Sequence, residues 1–135
     1  MGQQQLLLII LGVIVVGIAV AVGITMFQDN AIAANRDAVT NDLVNLASRA
    51  QQYYRRPAAL GGGGNSFVGL TADAAGLARL TSKATNANGT YSVMTAGTST
   101  SVVLKGVGTE KGSNGSAIEV QISVFADSTY VSQIN

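Results

Sequence analysis

The sequence predicts an α+β protein in which the second half of one long N-terminal hydrophobic helix packs on a small antiparallel sheet of about four strands. Three observations support this: residues 6–27 form an uncharged apolar run, the chain then repeats apolar residues at helical spacing, and apolar and polar residues alternate in its last third. We therefore divide the chain into a hydrophobic transmembrane or filament-core helix (1–28), an amphipathic continuation of that helix (29–56) and a globular head (57–135).

The apolar run decides what the chain can be. At 1.5 Å of rise per residue, a helix over Leu6–Phe27 is roughly 33 Å long, which is the thickness of the hydrocarbon core of a bilayer. The run is apolar on every side, and a head of this size rarely supplies enough protein to cover such a helix. It is therefore predicted to lie in lipid or among other apolar helices.

Small residues recur inside the run. Gly17 and Ala21 are four apart, as are Ala19 and Gly23, and small residues at that spacing let helices approach closely. Glycine is also common in any membrane helix, so both interpretations stay open. The residues predicted to form an assembly core are Gln5, Leu6, Leu8, Ile10, Gly12, Val13, Val16, Gly17, Val20, Ala21 and Ile24.

The continuation of the helix has one apolar face and an uneven charge distribution. The apolar face consists of Ile32, Val39, Leu43, Leu46, Ala50 and Tyr53, and Pro57 ends the helix after Arg56. Asp37 and Asp42 precede Arg49 and Arg55. These charges either form a solvated face or pair between staggered subunits, Asp37 or Asp42 of one with Arg49 or Arg55 of another.

The head begins with a glycine-rich loop, Gly61–Asn65, that lacks the Lys-Ser/Thr of a phosphate-binding loop. A short helix is predicted within Thr71–Leu80, with Thr71 as its N-cap. Period-two alternation then predicts four strands, and the short links between them favour an antiparallel meander. The strands are expected from Thr90 to about Thr95, at Ser101–Val107, at Ala117–Phe125 and at Thr129–Ile134.

Asn88 and Asn114 each begin an N-glycosylation sequon, Asn-Gly-Thr and Asn-Gly-Ser. Asn-Gly is also the commonest dipeptide of tight hairpin turns. The two sites are therefore either glycosylated or present only because the backbone turns there.

Composition argues against several classes of function. The chain has no cysteine and no histidine, so disulfides, thiolate metal sites and the commonest general base are all missing. Charged residues make up 11% and the net charge is +1, without the basic surplus typical of nucleic-acid binders. We expect no enzymatic activity, no cofactor, no metal and no nucleic-acid partner.

A charge-free N-terminal span continuous with an amphipathic helix, the residues Gln51-Gln52-Tyr53-Tyr54 near its end, a glycine-rich loop and an antiparallel sheet together resemble a type IV pilin or pilin-like subunit. The resemblance implies a leader removed by a prepilin peptidase, leaving Met1 or Gln3 as a methylated N-terminus. It also implies storage in the cytoplasmic (inner) membrane and packing of the spans into a filament core by the pilus assembly machinery.

Two features depart from the usual pattern of that family. Gln5 or Leu7 stands where pilins usually carry a glutamate that neutralises a neighbouring amino terminus, and the span has no proline. Both departures are compatible with archaeal-type or divergent bacterial pilins. The expected function is a structural subunit of an extracellular type IV pilus-like filament at the cell surface, built as a helical homopolymer. The alternative is a single-span, membrane-tethered binding or adhesive domain that does not polymerise.

Overall fold

The structure is a computed structural model and describes residues 2–135. One helix, α1 (Gly2–Arg55), is followed by a 3-10 turn (Ala58–Leu60) and a short helix, α2 (Ala74–Ala78). Four strands complete the chain: β1 (Gly89–Thr95), β2 (Ser101–Lys111), β3 (Ala117–Phe125) and β4 (Thr129–Gln133). They form one antiparallel sheet in the order β1-β2-β3-β4, which confirms the predicted α+β class and the meander.

The second half of α1 packs across the sheet, as its apolar spacing predicts. Its buried residues are Val39, Leu43, Leu46, Ala47, Ala50 and Tyr53, and Ile32 is partly buried against the same core. The sheet contributes alternate residues, among them Ile118, Val120, Ile122 and Val124 of β3. The face of β3 that the period-two pattern placed inward is therefore the face that contacts α1.

Helix and sheet approach closely at Gly106 in β2. A Cβ atom at this position would lie 2.7 Å from Cγ1 of Val39 and 2.9 Å from the ring of Tyr91, both closer than atoms tolerate. Only a residue without a side chain lets α1 sit this near the strand, so Gly106 fixes the spacing of the two layers.

The glycine-rich loop turns back on the end of α1 and satisfies carbonyls that the helix leaves without partners. The amide of Gly63 donates to the carbonyl of Tyr53 at 2.8 Å, and the amide of Asn65 donates to that of Tyr54 at 2.7 Å. Gly61 makes the turn with φ +83°, a conformation that favours glycine. The loop is therefore a C-terminal cap of α1.

Several predicted boundaries are wrong by a few residues. The N-cap of α2 is Asp73, whose carboxylate accepts from the amide of Gly76 at 2.9 Å, while the hydroxyl of Thr71 donates to Asp73 instead. The second strand continues past Val107 to Lys111, and β4 ends at Gln133. Each difference concerns an end of an element, where local patterns are weakest.

Candidate assembly interface

The first half of α1 contacts no part of the head. Every residue from Gly2 to Asn30 is exposed, and large apolar side chains such as Leu8 (68%) and Val16 (61%) leave most of their surface uncovered. An 18-residue window of α1 has a mean hydropathy of 3.2 and is 0% buried, which makes this helix long and apolar enough to cross a membrane. We call residues 2–30 the apolar rod.

All the residues predicted to form an assembly core lie on this rod, from Gln5 to Ile24, and every one of them is exposed. A methyl group added at Gly12, Gly17 or Gly23 would meet no atom of residues 2–135 within 4 Å outside the nearby backbone of α1 itself. These glycines therefore have no packing role within the single chain. The possible N-terminus at Gln3 is also on the rod, and the one at Met1 lies outside the described residues.

Just beyond the rod, hydrogen bonds of the Asn35 side chain hold α1 to the head. The side-chain amide of Asn35 donates to the carbonyl of Asn88 at 2.9 Å, and its oxygen accepts from the amide of Glu110 at 3.2 Å. Asn35 thus ties the helix to the loop before β1 and to the end of β2. The only signal for this role in the sequence is an asparagine on the border of the apolar face, and such a position does not by itself predict a contact with the head.

The four charges predicted to pair between subunits have different surroundings. Asp42 accepts hydrogen bonds from Asn86 and Asn88, both at 3.0 Å, and from the hydroxyl of Tyr91. Asp37 is exposed. Asp42 is therefore engaged inside its own subunit, and its role in a contact between subunits stays a prediction.

The two arginines of that set lie on different sides of α1. Arg49 donates from Nη1 to the carbonyl of Leu80 at 3.1 Å, beside α2, whereas Arg55 donates from Nη2 to the carbonyl of Ala126 at 3.3 Å, beside β4. Within residues 2–135, the ion pair that forms is Lys105–Glu119 at 3.8 Å, across β2 and β3. None of the four predicted charges meets another within the chain.

The contact between Asp42 and Tyr91 changes the acidity of both groups. Burial opposes ionisation of Asp42, but the hydrogen bonds from Tyr91, Asn88 and Asn86 together outweigh it, so the pKa of this carboxyl lies below its ordinary value. Burial and then the hydrogen bond to Asp42 raise the pKa of the Tyr91 phenol. At neutral pH Asp42 is thus an anion and Tyr91 its neutral donor.

The two sequons differ in accessibility. Asn88 is half-buried and its side-chain nitrogen, the atom that a glycan would modify, donates to Asp42. Asn114 is exposed on the turn between β2 and β3, where its nitrogen donates to the side chain of Asn135 at 2.7 Å. Gly115 has φ +80°, so the backbone reason for Asn-Gly holds at this turn.

The part of the chain that the structure describes brings together no group of three acidic side chains able to hold a metal ion.

Comparisons with protein-family models, with curated proteins and with solved structures find no match to this chain. Its general shape, a long apolar N-terminal helix packed on a small antiparallel sheet, is pilin-like. The interface to be explained is the apolar rod.

Proposed function

We propose that this chain is a structural subunit of an extracellular type IV pilus-like filament, with the apolar rod of each copy packed among the rods of its neighbours. The observation that supports this most is that every residue of the rod is exposed, whereas the second half of the same helix is well packed. Exposure of such a large apolar surface to water is unfavourable, so a lipid or protein partner is expected to cover it.

Packing of identical rods satisfies that requirement with no further component. Relative to a rod exposed to water, each 100 Å² of apolar surface that is covered stabilises the assembly by about 2.5 kcal/mol, and the contact repeats with every added copy. Relative to a rod in lipid this term is absent, so close packing between the helices must favour the filament. The small residues Gly17 and Ala21 let neighbouring backbones come close, which favours helix association both in lipid and in a filament core. The same rod can therefore lie in the cytoplasmic membrane before assembly and later replace its contacts with lipid by contacts with other copies of the rod.

The resemblance to pilins also implies how the rod would be processed and assembled. A prepilin peptidase would remove a leader ahead of Met1 or Gln3, and assembly machinery would extract the rod from the membrane. Gln5 would stand near the amino terminus of a neighbouring copy, where its amide oxygen can accept a hydrogen bond but cannot neutralise the charge.

The second candidate is a membrane-tethered binding or adhesive domain. It draws on the same observation, because one helix of this length and hydropathy is sufficient to anchor a head in a bilayer. The two candidates differ in whether rods meet other rods.

Electron microscopy of material sheared from cells that express the chain separates the two candidates. An antibody to the head should label filaments, and mass spectrometry of the same fraction should find this chain with its processed N-terminus. The matched control is Val16→Asp, whose charge in the rod core should abolish the filaments. Cells that hold the native chain only as a detergent-soluble monomer would point to the tethered domain instead.

A further inference from the structure

A polar groove follows one flank of the head, between the second half of α1 and the segment that leads from α2 to β1. Two adjoining cavities of about 450 and 240 Å³ form it, and Arg49 and Gln52 line both. Three more cations stand on its walls: Arg56, Arg79 and Lys83. We call the surface formed by Arg49, Arg56, Arg79 and Lys83 the basic groove.

The positive charge of this groove is not balanced within the subunit. Its four cations are half of the eight that the chain possesses. Asp42 also lines the groove, but its carboxylate already accepts from three donors and its charge is a single one. The groove therefore attracts an anionic partner.

Exposed carboxylates occupy the other flank of α1. At 100° per residue, Asp37 lies about 120° around the helix from Arg49, and Asp29 lies about 160° from it. Asp127 belongs to the same flank, since Arg55, five helical turns after Asp37, bonds the neighbouring carbonyl of Ala126. We call Asp29, Asp37 and Asp127, all exposed, the acidic flank.

We infer that the basic groove of one copy binds the acidic flank of the next copy. This inference rests on the proposed function and names the contact that orders the heads around the rods. The two surfaces are different patches of one chain, so the contact is heterologous and runs head to tail, the geometry that gives open helical assemblies. Arg55 lies on the acidic flank and is held by its own subunit, so we assign Asp37 to the part of the groove that Arg49 and Lys83 line together.

The helix also sets the offset between the two copies. Asp37 precedes Arg49 by 12 residues and Asp29 precedes it by 20. At 1.5 Å per residue, the neighbour is shifted along α1 by about 18–30 Å. Rods shifted by this distance still overlap along part of their length, so the head contact and the rod contact are compatible.

Charge reversal in the full-length chain tests the contact. Lys83→Glu and Asp37→Lys should each lower the yield of sheared filaments about fivefold, the effect of about 1 kcal/mol, and the double variant should restore it. Lys83 is suited to this test because the hydrogen bonds found for it involve its backbone. Lys111→Glu makes the same charge change outside the groove and should leave the yield unchanged.

Cross-linking gives a second test, because the natural chain has no cysteine. A chain carrying both Asp37→Cys and Lys83→Cys should form a ladder of disulfide-linked oligomers when its filaments are oxidised. A chain carrying Asp37→Cys and Lys111→Cys should give no ladder.

The outcomes separate this inference from the proposed function. A native chain that forms no filaments contradicts both, whereas native filaments without charge rescue and without a ladder contradict the inference alone. Normal filament yield of Lys83→Glu, together with weaker retention on immobilised heparin, would overturn the inference in favour of a soluble polyanion as the occupant of the groove.

Discussion

The two halves of α1 are continuous in backbone and opposite in environment. From Gly2 to Asn30 the apolar residues surround the helix and all are exposed, whereas between Ile32 and Tyr53 most of them form one stripe that the head covers. A stripe can be satisfied by one partner on one side, and the chain supplies that partner itself. A helix that is apolar all round needs partners on every side, which a single small head cannot provide.

Truncation of one leucine in each half should sharpen this contrast most. Leu43 is 0% exposed against the sheet, so Leu43→Ala should lower the free energy of unfolding of the head by about 2–5 kcal/mol. Leu8 is exposed, so Leu8→Ala should leave that free energy unchanged. Denaturant titration of the full chain in detergent, followed by tyrosine fluorescence, measures both. Equal losses of unfolding free energy in Leu43→Ala and Leu8→Ala would contradict the contrast between the two halves of α1.

A pair of glycines gives the next test. Gly106→Ala forces a methyl group against Val39 and Tyr91 and should cost about 1–3 kcal/mol of stability. Gly17→Ala meets open space in the single chain and should leave the thermal midpoint of the head unaltered, while filament yield falls because neighbouring rods are held apart. An unchanged filament yield for Gly17→Ala would remove Gly17 from the rod contact.

A smaller and pH-dependent effect is expected for Tyr91→Phe. Loss of the hydrogen bond to Asp42 should cost about 1 kcal/mol near neutral pH. The pKa of Asp42 is lowered by folding, so its stabilisation is complete above the ordinary carboxyl pKa and is lost as pH falls through the lowered value. Without the hydroxyl of Tyr91, the variant gains less stability from the ionised carboxylate of Asp42. The difference in unfolding free energy between the variant and the native chain should therefore become smaller in acid.

Thermal unfolding of both chains between pH 7 and pH 3 measures that difference. Asn86→Ala is a useful companion, since it removes another donor to the same carboxylate and should show the same narrowing. A deficit that stays constant over this range would mean that the hydroxyl of Tyr91 acts independently of the charge on Asp42.

The fold was predictable wherever one period governs many residues. The stripe that includes Val39, Leu43 and Leu46 and the alternation of β3 are each a regular local pattern, and each packs as predicted. The end of β2 was not predictable in this way, because Gly108 is typical of the start of a loop, whereas the strand continues to Lys111. Turn-forming residues mark such ends only approximately.

The surroundings of single charges were not predictable from the sequence. Asp42 lies 44 positions before Asn86 and 49 before Tyr91, and only the folding of the head against α1 brings them together. The basic groove joins Arg49 to Arg79 and Lys83 for the same reason. The rod, in contrast, could be found from composition alone, because its surroundings within the chain consist of nothing but itself.

The central claim is that the rods are covered by one another, and a single cysteine at Val16 tests it directly. In intact sheared filaments of Val16→Cys, a charged, water-soluble maleimide should fail to label the thiol and should label it once the chain is denatured, because neighbouring rods cover this position. Rapid labelling of that thiol in the intact filaments, or recovery of the chain in lipid only and never in filaments, would contradict the account.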